Sequence, residues 1–187
     1  YRGKAIQEAM LKESGVPFSI VRPTLVFGKE DILINNIAWL IRTVPMFPIF
    51  GAGHYRVQPV FVEDLAEIAV RQSTSMAGTT VDAIGPETFT FQEFVALIAK
   101  KIGKNTKFIK VPPSLGIFCG QIIGMFLRDV LLTQNELKGL MDEMLTSAQE
   151  PNGKTKFSDW LEKNKSTVGN SYSSEIARHF RWSGKIR

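Results

Sequence analysis

The chain has 187 residues, of which 44% are apolar and 22% charged, with a formal net charge of +5 and a pI near 9.4. These values suit a globular protein with a sizeable core, and the scattered Lys and Arg, with no run of five, argue against a nucleic-acid partner. A single cysteine, Cys119, excludes an internal disulfide framework and fits a reducing compartment, while no stretch reaches the ~18 apolar residues of a membrane span, so the expectation is a cytoplasmic protein.

No signal-peptide pattern opens the chain, and Tyr1 stands directly inside a helical pattern, as if an earlier part had been removed. Residues 4–14, KAIQEAMLKES, are strong helix formers, with Gly15 at the position of a C-terminal cap. Residues 18–27, FSIVRPTLVF, are apolar on both alternating faces, which predicts a strand buried on both sides as in a parallel sheet, ended by Gly28. A helix is expected at 35–44, a Pro-rich loop at 44–54, a short extended piece at 57–62 and a helix at 63–73. Residues 80–84 read as a strand closed by Gly85-Pro86. Thr90 and Glu93 form a capping box before a helix at 91–102, and residues 107–111 read as another strand. A second capping box, Thr133 with Glu136, opens a helix at 134–146. Ser158 precedes a short helix at 159–164, and the last helix falls at 171–180. The pattern is α/β, with helices dominating after residue 90.

Most of the familiar chemistry is missing. Gly51-Ala52-Gly53 lacks the third glycine of a phosphate-cradling turn and runs into strand-like residues. His54 and His179 fit no metal-ligand spacing, so no metal is expected, and there is no nucleophile-elbow motif. Residues 115–127, LGIFCGQIIGMFL, are apolar nearly all round but too short to cross a bilayer. They read as a core helix or, with Leu131, Leu132, Phe47, Ile49 and Phe50, as the lining of a greasy pocket or a membrane-facing patch. Cys119 reads as packing. Asp64 stands at a helix N-terminus, where free amides and the helix dipole favour a carboxylate.

The stretch YRGKAIQEAMLKESGVPFSIVRPTLVFGKED resembles the segment of extended, atypical short-chain dehydrogenase/reductases that runs from the catalytic Tyr-x-x-x-Lys motif to the following strand. The resemblance implies that Lys4 assists catalysis and bonds the nicotinamide ribose of NAD or NADP. Tyr1 is three residues from Lys4 rather than four. It is therefore either the neighbour of the catalytic tyrosine or its substitute at a shortened spacing, since i and i+3 also share a helix face; an ordinary exposed lysine is the plain reading of Lys4. The same resemblance places Pro23, Thr24, Leu25 and Val26 beside the nicotinamide carboxamide, where otherwise a proline simply ends a strand. About 30 residues on, Gly51-Ala52-Gly53-His54-Tyr55-Arg56-Val57-Gln58-Pro59-Val60-Phe61-Val62-Glu63-Asp64 is similar to the family's Gly-x-Gly loop, arginine and Val-x-Asp block, which implies a substrate-side function for Gly51, Gly53 and Arg56. Val57 holds the arginine slot, however, and Arg56 lies one residue earlier, which in an extended segment points to the opposite face. That departure argues against a sugar-nucleotide substrate and matches the branch of the NAD(P)H-binding accessory subunit of respiratory complex I and its bacterial relatives.

The expectation is thus the C-terminal part of a Rossmann-type parallel sheet over residues 1–90, with a substrate-lobe insertion at about 29–60, followed by a mostly helical substrate or interaction lobe over 91–187. The implied function is that of an NAD(P)(H)-dependent reductase, dehydrogenase or epimerase with a small-molecule substrate, or of a non-catalytic NAD(P)H-binding component of a membrane-associated redox complex. A third reading is a pure interaction module. The resemblance admits a hydrophobic, quinone-like or isoprenoid ligand and peripheral contact with the inner membrane. A chain lacking the glycine-rich half is expected to be inactive alone and to self-associate through its uncovered sheet.

Overall fold

The computed structural model describes residues 2–74, 78–116, 129, 133–174 and 176. Its elements are α1 (Arg2–Glu13), β1 (Ser19–Pro23), β2 (Leu25–Phe27), α2 (Ile32–Thr43), β3 (Met46–Phe50), β4 (Arg56–Val57), β5 (Pro59–Phe61), α3 (Val62–Ser73), β6 (Thr79–Ala83), β7 (Phe89–Thr90), α4 (Phe91–Lys101), β8 (Lys107–Val111), α5 (Gln134–Met141) and α6 (Phe157–Asn164). Three strand pairs, β1–β6, β2–β5 and β3–β8, are parallel, and β4–β7 is antiparallel. Parallel pairs need crossover connections, and α3 joins β5, the partner of β2, to β6, the partner of β1.

Residues 4–28 form a helix leading into extended chain, but the extended piece is two strands. β1 pairs with β6, β2 pairs with β5, and Thr24 stands at the changeover. Its amide donates to the Ala83 carbonyl, while its hydroxyl lies 2.6 Å from the Gln58 carbonyl and 3.2 Å from that of Ala83. Burial on both faces holds only for part of the expected strand. Thr24, Leu25 and Phe27 are buried, whereas Ser19, Ile20 and Val21 are half-buried and Arg22 and Pro23 exposed. The Arg22 guanidinium instead binds the Glu8 carboxylate and ties α1 to β1. The extended piece at 57–62 divides in the same way, into β4 and β5 around Gln58. At Gly85 a Cβ atom would lie 1.6 Å from the Pro59 carbonyl oxygen, so only glycine lets the chain leaving β6 pass over β5.

The Pro-rich loop expected at 44–54 contains β3. Phe47 and Ile49 alternate into the core while their strand pairs with β8, an interaction far away in sequence that local composition does not reveal. The helix expected at 35–44 begins earlier, at Ile32, because Asp31 caps it by accepting the Ile34 amide at 2.5 Å. α5 stops at Met141 rather than 146, where Glu143 takes a positive φ of 55°. α6 begins at Phe157, so Ser158 is not its cap; the Ser158 amide and hydroxyl both donate to Glu87. Both capping boxes form as expected. The readings of residues 117–127, of Cys119, Leu131, Leu132 and His179, and of most of the last helix lie outside the described residues.

The main core gathers Phe27, α2 (Ile34, Ile37, Ala38, Ile41), α4 (Phe94, Val95, Ile98) and α6 (Phe157, Trp160, Leu161). Phe157 is its hub, stacked on Phe94 at 4.7 Å and edge-on to Phe27 at 5.2 Å. A smaller cluster of Val60, Ile68 and Ala83 packs α3 on the β1–β6 side.

Candidate functional site

Because β2 and β5 run parallel, their carboxyl ends open to the same side, the position at which open α/β sheets bind ligands. Gly28 follows β2 directly against α3; a Cβ there would meet Val62 Cγ1 at 2.9 Å. Between these strand ends and the first turns of α2 and α3 lies a cavity of about 660 Å³. Val26, Ile32, Leu33, Phe61 and Trp160 give it an apolar wall, and Lys29, Glu30, Asp31, Glu63 and Asn164 a polar one. An apolar concavity with a few placed polar groups has the usual make-up of a small-molecule site.

Of the site residues singled out by sequence, Val26 lines this cavity, and Lys4, Pro23, Thr24, Leu25, Gly51, Gly53 and Arg56 do not. Tyr1 lies outside the described residues, and Lys4 is exposed in the first turn of α1. Pro23 ends β1 exposed, and the Thr24 hydroxyl and Leu25 side chain are buried, so of this strand end it is Val26 that lines the cavity. Gly51 and Gly53 adopt φ of 60° and 74°, which favours glycine, and shape the turn from β3 to β4. The Gly51 amide donates to Val111, and the Gly53 carbonyl accepts from Gln92. Arg56 is exposed and engaged with Glu143, whose Oε2 accepts from Nε at 3.1 Å and from Nη2 at 2.9 Å, while Oε1 accepts the Arg56 amide at 3.1 Å. This pairing holds the Glu143 carboxyl below its usual range and raises Arg56. Val57 is fully buried.

Three polar residues that organise the region were not singled out for this in the sequence. Asp64 is 8% exposed. Oδ2 accepts the amides of Lys154 (2.8 Å) and Thr155 (2.7 Å), and Oδ1 the Thr155 hydroxyl (3.2 Å). Asp64 stands in the first turn of α3, as expected, with Phe61 as the N-cap residue, and the amides it accepts belong to the loop before α6. Gln58 donates to the Gly85 carbonyl and accepts the Ser147 amide, joining the β5 edge to the chain after α5. Tyr55 is stacked on Phe91, and its buried hydroxyl has no partner among the described residues; burial pushes the phenol well above its ordinary value. Local sequence carries no signal for the first two, because their partners lie 27 to 91 residues away.

The architecture is that of a Rossmann-type α/β fold. The solved dTDP-glucose 4,6-dehydratase of Streptomyces venezuelae, with NAD and TYD bound, superposes over 87% of this chain and 47% of its own, with a TM-score of 0.55 and 18% identity. The UDP-glucuronic acid 4-epimerase of Bacillus cereus in complex with NAD covers 92% of this chain and 51% of its own, with a TM-score of 0.52 and 16% identity. In sequence the chain is similar to the mitochondrial NADH dehydrogenase [ubiquinone] 1 alpha subcomplex subunit 9. It is 28% identical to that of Arabidopsis thaliana over 114 residues, and 30% identical to that of Dictyostelium discoideum over 115 residues. These alignments take in 59% and 60% of this chain but 28% and 32% of the relatives, so the matched stretch spans less than a third of their length. No family model matches the chain.

Proposed function

We propose that the chain contributes the later strands of a nicotinamide-nucleotide sheet in a short-chain dehydrogenase/reductase-like component of a membrane-associated redox complex, where NAD(P)(H) is held for structural or regulatory ends. The kinship to two complex I subunits supports the assembly. The observation that carries the departure from sugar-nucleotide chemistry is the pairing of Arg56 with Glu143 beside a buried Val57, which leaves no arginine in the diphosphate slot. On this reading the cofactor lies along Lys4 and the Pro23–Val26 strand end, with the chain from 91 onward as the partner-facing lobe. The apolar wall of Phe61, Ile32 and Trp160 in the adjoining pocket suits a hydrophobic small molecule.

Lys4 favours a second reading, that of an oxidoreductase. It stands exposed at the start of the helix that precedes β1, available to a nicotinamide ribose and an acid/base tyrosine. Native gel fractionation of membranes carrying a tagged full-length gene product tests the leading reading. Migration within a large NADH-oxidising assembly supports it, whereas migration as a small free species with nucleotide-dependent reductase activity supports the second.

A further inference from the structure

We propose that the cavity at the carboxyl ends of β2 and β5 takes an apolar ligand bearing a neutral carbonyl group, whose oxygen accepts the indole N–H of Trp160. This rests on the hydrophobic-ligand part of the reading above and sharpens it, but needs no nucleotide. Trp160 is 7% exposed and stands in the cavity wall. Its indole N–H has no acceptor among the described residues, yet the nitrogen is not sealed from solvent, so the donor is left open to the cavity. An indole N–H only donates, and a largely buried donor without an acceptor costs free energy that a ligand oxygen recovers. The ring is held in place: it lies edge-on to Phe27 at 5.3 Å and stacks on Phe157 at 6.3 Å. One turn further along α6, the Asn164 amide donates to the Trp160 carbonyl at 2.8 Å.

The rest of the lining selects the body and the charge of the ligand. Val26, Ile32, Leu33 and Phe61 offer apolar surface, and the volume of about 660 Å³ is that of a small-molecule site. Phe61 gives α3 no side-chain cap, so the first amides of that helix, at Val62 and Glu63 in the lining, also call for an acceptor. The charged side chains around the cavity are Lys29 against Glu30, Asp31 and Glu63. This excess of carboxylates repels an anion, which would in addition lose its hydration against the apolar wall. An ammonium group offers the indole no acceptor, and the exposed Glu63 carboxylate would hold it only weakly. A neutral carbonyl on an apolar body meets the donors without either cost.

The test follows the indole N–H signals of the full chain by NMR, with isotope-labelled tryptophan and no nucleotide present. The chain has three tryptophans, Trp39, Trp160 and Trp182. Trp160→Phe assigns the signal of Trp160, and Trp39→Phe with Trp182→Phe assigns it by elimination if the first variant does not fold. The probes are para-butyl acetophenone, the hydrocarbon para-butyl ethylbenzene, para-butyl benzoate and para-butyl benzylamine, which share an apolar body. The ketone is expected to move the Trp160 proton downfield, saturably. The hydrocarbon binds roughly fivefold more weakly, as the loss of one hydrogen bond requires, and gives no downfield shift. The benzoate and the benzylamine also bind more weakly than the ketone. In folded Trp160→Phe, which keeps an aromatic wall without the donor, ketone and hydrocarbon bind alike. A Trp160 signal that the ketone leaves unmoved, equal binding of ketone and hydrocarbon to the parent, or tighter binding of either charged probe would overturn the proposal. Because no nucleotide takes part, such a failure leaves the NAD(P)(H) reading standing.

Discussion

Thr155 gives Asp64 two hydrogen bonds, one from its amide at 2.7 Å and one from its hydroxyl at 3.2 Å, across 91 residues of chain. The contact fixes the loop before α6 to the first turn of α3, and with it Trp160 in the wall of the cavity. Asp64→Ala removes a buried acceptor from two amides, and the expected loss is about 2–3 kcal/mol. Urea unfolding of variant and parent measures it. Asp64→Asn, which keeps one oxygen acceptor, should recover part of the loss.

Tyr55 presents the opposite case. Its hydroxyl is buried and without a partner among the described residues, while its ring stacks on Phe91 at 5.3 Å. Tyr55→Phe keeps the ring and removes the unsatisfied group, so stability should rise by about 1 kcal/mol. A lower unfolding midpoint would show that the hydroxyl has a partner in solution.

Phe157 is fully buried between Phe27, Phe94 and Trp160. Truncation to alanine leaves a cavity at the junction of β2, α4 and α6, with an expected cost of about 3–5 kcal/mol. Chemical denaturation checks the magnitude, and loss of near-ultraviolet circular dichroism would report loosening of the aromatic cluster.

Glu162 receives Lys165 and Lys101, and these bonds lower its carboxyl from 4.5 to about 2. A carboxyl lowered in the folded state stabilises that state above the unfolded pKa and loses the effect as pH falls through the folded one. The difference in melting temperature between the parent and Glu162→Gln should therefore be present at neutral pH and shrink between pH 4.5 and about 2. It should also shrink with salt, because the group is at the surface.

The sequence was most legible where structure is decided by neighbours. Thr90–Glu93 and Thr133–Glu136 announce their helices because both halves of a capping box lie within one turn. The helix-to-strand order of residues 4–28, and the kinship it carries, were readable for the same reason. What escaped depends on remote partners. β3 is a strand because β8 lies beside it, and Thr24 splits a strand because Ala83 and Gln58 hold it there. Ser158 looks like a cap but serves Glu87, 71 residues earlier in the chain. At the site, Val26 was named among the cofactor residues, whereas Trp160 reaches the cavity from a helix that gave no sign of belonging to it.

Titration of the full-length gene product with NADH and NADPH, followed by its melting temperature, tests the central claim most directly. A ligand at a hundred times its dissociation constant adds about 2.7 kcal/mol, a shift of a few degrees for a protein of moderate size. The account predicts such a saturable rise with at least one of the two nucleotides, reduced when Lys4 is replaced by alanine. An unchanged melting temperature with both, in a protein that melts cooperatively, would contradict it.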